Sequence, residues 1–268
     1  MTGEVEAASG REARSYQAAS AILADRDPVI RRLVAQAGTA KVPPSRLTHF
    51  EALVRAVVYQ QLAGAAAAAI YGRLVAALGE VVPERVLALS EPARPEPARP
   101  EQTRPEQTPP EQTPPEQTPP EQTPPEQTPP EQTPPEQALR SVGLSAAKAA
   151  SIRDLAVKVT DGTVVLDPAG LRTESDAEVV ARLSTVRGIG KWTAEMFLMF
   201  QLRRLDVWPT GDLAVRKGFG LAWGIPTPTA KELDPMGDPY RPYRSVLAWY
   251  CWRAAEIYQG TADSALTR

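Results

Sequence analysis

From Asp27 onward, apolar residues recur at intervals of three and four rather than two, and that period predicts helices. Asp27-Pro28 supplies an N-cap followed by proline at the first helical position, and Ile30, Leu33, Val34 and Ala37 then share one face before Gly38 ends the run. Another helix starts at about Ser45 or Thr48, with Leu47, Phe50, Val54, Val57 and Gln61 along one stripe. Ser145 caps a helix whose stripe is Ile152, Leu155, Ala156 and Val159, and Asp161-Gly162 stops it. Ser175 and Glu178 have the spacing of a capping box ahead of Val179, Val180 and Leu183. The run Thr163 to Leu166 (TVVL) is strand-like, but Asp167-Pro168 cuts it off. The pattern therefore predicts an all-α protein.

The segment Val186 to Asp212, VRGIGKWTAEMFLMFQLRRLDVWPTGD, breaks the amphipathic rule. Gly188 and Gly190 flank Ile189, so the chain can turn sharply with consecutive amides exposed while Ile189 anchors the turn in the core. Lys191 starts a helix whose stretch Trp192 to Phe200 is apolar nearly all round, which predicts passage through the core. Exposed amides and the positive end of that helix suit one phosphate, with Arg187 and Lys191 adding mobile charge. Such a contact positions a nucleic acid without reading its sequence. Asp212 follows the stiff turn Trp208-Pro209-Thr210-Gly211, at the first turn of a helix through Leu213, Val215 and Phe219. Carboxylates favour first turns for the helix dipole alone, so its position is ordinary; its proximity in sequence to a phosphate-binding turn is not.

Composition changes the picture at two points. One Cys, one His and a net charge of −2 in 268 residues predict a soluble intracellular protein without internal disulfide or zinc site. His49 has no partner at ligand spacing and reads as a surface or satisfied side chain. Residues 1–15 carry acidic groups and no apolar core, unlike a leader segment, and the Ala-rich run Gly64 to Ala69 is too short to span a membrane. After Ser90 a five-residue unit that settles into PEQTP fills 91–135, nine whole units. Such low-complexity sequence cannot bury a core, and removing it joins VLALS to EQALRSVGLS, so it reads as an expansion within one loop. A proline-rich ligand for a partner is the other reading, weakened by the lack of a basic anchor. The insert holds nine glutamates against three arginines, so the remainder has 27 basic against 23 acidic residues, a better balance for a nucleic-acid binder than the whole-chain pI of 5.7 implies.

Three segments stand in an order that resembles a known family: V-x-G-I-G-x-W-T-A, then D-V-W-P-x-x-D-L, then P-Y-R-S-V-x-A-W-Y-x-W on a last helix begun by Pro242. They are similar to the helix-hairpin-helix DNA glycosylases with a Gly/Pro-rich loop and an aspartate (the HhH-GPD superfamily), and more narrowly to the 3-methyladenine branch. The resemblance covers 16–90 and 136–260 as one domain, leaving 1–15, 91–135 and 261–268 as disordered segments. It implies two helical subdomains with the hairpin and aspartate loop at the cleft between them. Asp212 is then the catalytic carboxylate; Trp192, Trp252 and Met196 line the base pocket; Leu62, with Gln61, is the wedge that fills the gap left by a displaced base. Gly188, Ile189, Gly190, Lys191 and Arg187 form the phosphate site, and Trp208 is scaffold for the Asp212 loop. A hydrogen-bonded core glutamine is the plainer reading of Gln61, as core packing is of Leu62 and of Trp252 beside Trp249 and Tyr250. Met196 stands where one relative has an aromatic residue.

The implied activity is monofunctional hydrolysis of the N-glycosidic bond of alkylated bases such as 3-methyladenine in double-stranded DNA, by a monomer in a bacterial cytoplasm, at the nucleoid. No cofactor is implied: a lone Cys251 rules out a four-cysteine iron–sulfur cluster, and the resemblance leaves room only for a monovalent cation at the hairpin. Bifunctional relatives carry a lysine nucleophile where this chain has Trp192. A glycosylase for uracil, hypoxanthine or a mismatched base, and a non-catalytic DNA-binding module, are the alternatives; the last has no use for Asp212 or the tryptophans. If 91–135 is an inert expansion, deleting Glu91 to Pro135 leaves fold and base excision unchanged. Removing its −6 charge should tighten DNA binding slightly at low salt, with the gain fading as salt rises, a comparison that titrations at two ionic strengths make directly.

Overall fold

In a computed structural model, residues 15–90 and 137–266 are described; the repeat and residues 1–14 lie outside them. The segment 261–268, expected to be a disordered tail, does so only at 267–268, because the last helix continues to Leu266. The elements are helices α1 (Tyr16–Arg26), α2 (Pro28–Ala37), α3 (His49–Tyr59), α4 (Gly64–Leu78), α5 (Pro83–Ser90), α6 (Gln137–Ser141), α7 (Ala146–Thr160), α8 (Pro168–Thr173), α9 (Asp176–Leu183), α10 (Lys191–Met196), α11 (Leu213–Trp223), α12 (Ala230–Met236) and α13 (Arg244–Leu266). No strand occurs among the described residues. The strand-like TVVL run forms no strand, as the all-α expectation requires: Val164 is buried and its amide closes back onto Lys158 O at 2.7 Å.

Local signals set most helix starts. Asp27 Oδ1 accepts from Val29 N at 2.6 Å, Thr48 Oγ1 from Glu51 N at 3.1 Å, and Ser145 Oγ from Lys148 N at 3.3 Å. Ser175 and Glu178 form the full capping box. The start of α13 is the exception. It begins at Arg244, two residues after Pro242, because the distant Asp206 accepts both the Arg244 amide (3.3 Å) and its guanidinium (2.8 Å).

The helices form two groups. α1, α2, α11 and α13 pack together, while α3 packs on α4 and α7, and α5 on α7. At the α11–α13 contact a Cβ on Gly218 would collide with the Cys251 carbonyl, so only glycine allows these axes their separation. Asp27 ties the first group together, its Oδ2 accepting from Tyr240 Oη and from Trp223 Nε1 (3.3 Å). No single helix among the described residues is long and apolar enough to cross a membrane.

α10 lies between the groups and continues as a π-helical turn, Phe197–Gln201. Leu202 N reaches Phe197 O at 3.0 Å, and Tyr16 Oη, from the other group, donates to Met199 O at 3.3 Å and Arg204 O at 3.2 Å. Phe197, Leu198 and Met199 are buried as the apolar pattern predicts, but Trp192 (46% exposed) and Phe200 (41% exposed) are not. Both line a cleft formed by α3, the loop before it and α10, so the excess of apolar residues serves a surface as well as a core.

Candidate nucleic-acid interface and active site

The hairpin between α9 and α10 is built as its glycines and Ile189 require. Gly188 has φ of +75°, a Cβ there would fall on Ser151 Oγ of α7, and Ile189 is 1% exposed. Gly190 differs: its φ is −92° and open space surrounds the position of a Cβ, so it serves as N-cap of α10 and not as the turn's left-handed residue. Arg187, Gly188, Gly190 and Lys191 are exposed, and the amides of Gly190 and Lys191 take no acceptor among the described residues. Beneath the turn, Asp154 Oδ2 accepts from Arg187 N at 2.7 Å and from Lys158 Nζ at 2.9 Å. Burial raises the Asp154 pKa, but those two hydrogen bonds and both neighbouring positive charges outweigh it and hold the carboxyl below its usual range.

Three carbonyls of the hairpin segment are hydrogen-bonded within the protein: those of Thr185, Val186 and Gly188 accept from Lys158 Nζ, Ile189 N and Gln60 Nε2. Among the described residues no group of three His, Cys, Asp or Glu side chains could hold a metal.

Asp212 is the N-cap of α11, one position earlier than the first turn. Its Oδ1 accepts from Ala214 N at 2.8 Å and Val215 N at 3.0 Å, and its Oδ2 accepts from Trp192 Nε1 at 2.7 Å. The loop before it is closed by Thr210 N on Trp208 O and Asp212 N on Pro209 O. Trp208 itself is buried and donates to Leu233 O at 3.1 Å. Glu195, which the sequence did not single out, is buried one turn along α10 with Lys191 Nζ 3.6 Å away. Burial raises its pKa, Lys191 opposes the rise, and the charge of Asp212 adds to it.

Trp192 and Met196 line one cleft of about 790 Å³, together with Tyr59, Gln60, Gln61 and Phe200. Trp252 is not in it. It lies in an adjoining recess of about 540 Å³ with Leu213, Lys217 and Trp249, stacked on Phe200 at a centroid distance of 5.8 Å and an interplanar angle of 26°. Phe200 borders both spaces, and neither it nor Arg55, whose guanidinium sits 4.2 Å over the Tyr59 ring at the cleft wall, was marked by a motif. The aromatic type of Phe200 was the only signal for either.

The expected wedge segment ends α3. Gln61 has φ of +56° and is exposed, so the core-glutamine reading is wrong; Leu62 is 39% exposed. The bound glutamine is Gln60, whose Nε2 donates to Gly188 O at 3.0 Å and Thr193 Oγ1 at 3.1 Å. His49 is satisfied: Gln201 Nε2 lies 3.1 Å from its Nδ1 and Phe197 packs edge-on at 5.7 Å. Burial lowers its pKa, with Asp167 opposing.

Helix, glycine hairpin and helix, with a carboxylate hydrogen-bonded to a tryptophan of an aromatic cleft, make a helix-hairpin-helix architecture of the kind found in DNA glycosylases. No family model matches the chain. It is 33% identical over 120 residues to DNA-3-methyladenine glycosylase 1 of Schizosaccharomyces pombe, a match covering 44% of this chain and 52% of that protein. The chain thus spans about half the length of the curated relatives it matches. Among solved structures it is similar to the S. pombe 3-methyladenine DNA glycosylase in complex with abasic DNA, with TM-score 0.62 and 26% identity over 88% of this chain and 95% of that one. It is also similar to a Bacillus halodurans DNA-3-methyladenine glycosidase, with TM-score 0.60 and 28% identity over 87% and 92%. These likenesses support the fold of the helix-hairpin-helix DNA glycosylases and a resemblance to their alkylbase branch.

The two glycines separate experimentally. Gly188→Val places a β-branched residue at positive φ against Ser151 and should abolish DNA binding, whereas Gly190→Ala should leave the thermal melt within about 1 kcal/mol of wild type, the usual limit for a substitution that meets no neighbour. Normal duplex affinity in Gly188→Val would remove the hairpin from the phosphate site.

Proposed function

We propose that the protein is a monofunctional DNA glycosylase acting as a single chain on double-stranded DNA with alkylated bases such as 3-methyladenine. The observation that carries this is the juxtaposition at α10. Its N-terminus offers free amides to a phosphate, and one residue on, Trp192 holds the Asp212 carboxylate by a 2.7 Å hydrogen bond. A phosphate binder has no need of that carboxylate, and a nucleotide anchored there would bring its sugar toward it.

The chemistry follows from charge. As the N-glycosidic bond lengthens, its electron pair moves to the base and positive charge grows on the sugar, where an ionised Asp212 lies ready to stabilise it. A water then adds its oxygen to C1′ and gives up a proton, with Asp212 Oδ2 as the acceptor in reach. An alkylated base is already a cation, so the departing pair neutralises it and little general-acid help is needed. The base must first leave the stack, and the faces of Trp192, Phe200 and Trp252 are the electron-rich rings on offer to a cation.

Release of 3-methyladenine from methylated duplex tests the reading. Asp212→Asn is a sharp variant because asparagine caps a helix as well as aspartate does, so fold and DNA binding should persist while release falls on the order of 10²-fold or more. Release at the wild-type rate would remove Asp212 from the mechanism. The product should be an intact abasic strand: Lys191 is exposed and pairs with Glu195, and position 192 is an indole. Borohydride should therefore trap no covalent adduct; a trapped adduct would mean that an amine, not water, attacks the sugar.

A further inference from the structure

Helix α7 runs beneath both loops proposed to face DNA and touches each through one face. Lys148 Nζ donates to Val58 O at 2.8 Å and to Gln60 O at 2.7 Å, carbonyls that the end of α3 leaves without helical partners. One turn on, Ser151 Oγ occupies the space a Gly188 Cβ would need. One turn further, Asp154 receives the Arg187 amide, and Lys158 donates to Thr185 O. Lys148 and Asp154 are separated by about 9 Å of helix rise. A single rigid element therefore sets the distance between the hairpin and the Gln60-Gln61-Leu62 segment, and Gln60 Nε2 on Gly188 O closes the frame.

The segment needs that support. Gln61 is held at φ of +56°, a conformation a non-glycine residue keeps only when its surroundings impose it. Lys148 is half-buried with its ammonium at the negative end of α3, where a long cationic donor can serve two carbonyls at once. No other side-chain donor to those two carbonyls occurs among the described residues.

We propose that Lys148 is a positioning residue for base extrusion: by capping α3 it holds Leu62 at the height over the hairpin at which the leucine can enter the base stack while the hairpin keeps the phosphate. This rests on the glycosylase reading, and it assigns Lys148 no part in bond cleavage.

The test uses the full chain and two substrates carrying the same methylated base, one fully paired and one with the lesion in an unpaired bulge that needs no extrusion. Lys148→Met should slow single-turnover release from the paired duplex about tenfold, the factor one charge-assisted hydrogen bond carries, and leave the bulged substrate within about twofold. Lys148→Arg, which keeps a cationic donor of similar reach, should recover most of the loss. Equal losses on both substrates would overturn the proposal in favour of a general structural role, and no loss on the duplex would overturn it outright. If Lys148→Met does not fold, Lys148→Gln carries the same comparison. If the wild type releases no base from either substrate, the glycosylase reading fails. Fluorescence of 2-aminopurine beside an abasic site then still reports the wedge, and an equal unstacking signal in wild type and Lys148→Met would sink the positioning role separately.

Discussion

The hydrogen bond from Trp192 Nε1 to Asp212 Oδ2 joins the two halves of the site. It spans the helix that begins at the hairpin, which lies between the two packing groups, and the helix that begins at the carboxylate, which belongs to the first of them. Asp212 Oδ1 is already committed to the first amides of α11, so the indole fixes the remaining oxygen and with it the plane of the carboxyl group. A carboxylate oxygen can accept a second hydrogen bond, which leaves room for one water on Oδ2 without disturbing the cap. The same bond explains why Trp192 tolerates 46% exposure: its edge is held by the aspartate while one face remains open to the cleft.

That bond has a fixed meaning only if α10 cannot slide. Ile189 anchors its start in the core, Thr193 accepts from Gln60, and the π-helical turn is gripped at Met199 O by Tyr16. Helix α7 holds the hairpin from beneath through Asp154 and Lys158. The amides of Gly190 and Lys191 are left free of acceptors among the described residues. A phosphate site made this way needs no rearrangement to receive its ligand, which is the condition for electrostatic stabilisation without a reorganisation cost.

What could be read from the sequence was what acts over three or four residues. The caps at Asp27, Thr48, Ser145 and Ser175 and the glycine turn at Gly188 are local devices, and each stands where its spacing placed it. Asp212 was found for a similar reason, though as N-cap and not first-turn residue. The misses are long-range. Gln60 and Gly188 are 128 positions apart, so which of two adjacent glutamines was tied down could not be told from a helical stripe, and the stripe chose Gln61. Trp252 shares the family's motif order with Trp192, yet Phe200 stands between them; a π turn shifts the register of the residues beyond it, and no period of 3.6 anticipates that.

The shape of the cleft bears on how an alkylbase enzyme of this kind would choose its substrate. A space of about 790 Å³ with one tyrosine, one tryptophan, two phenylalanines and a methionine on its walls is several times larger than a nucleobase, and of its polar side chains Gln60 and Gln201 are already engaged within the protein. Discrimination by fit in such a space is weak, since apolar contacts separate near-isosteres by only about 1–3 kcal/mol. Discrimination by charge is different. Stacking on electron-rich rings favours a cation over a neutral base, and the same positive charge weakens the glycosidic bond that Asp212 would help to break. Both steps then respond to one property of the lesion, its charge, and not to the position of its alkyl group. On that argument Met196, flexible and polarizable where a rigid ring would impose one stacking geometry, would widen the range of cationic bases that can be accepted.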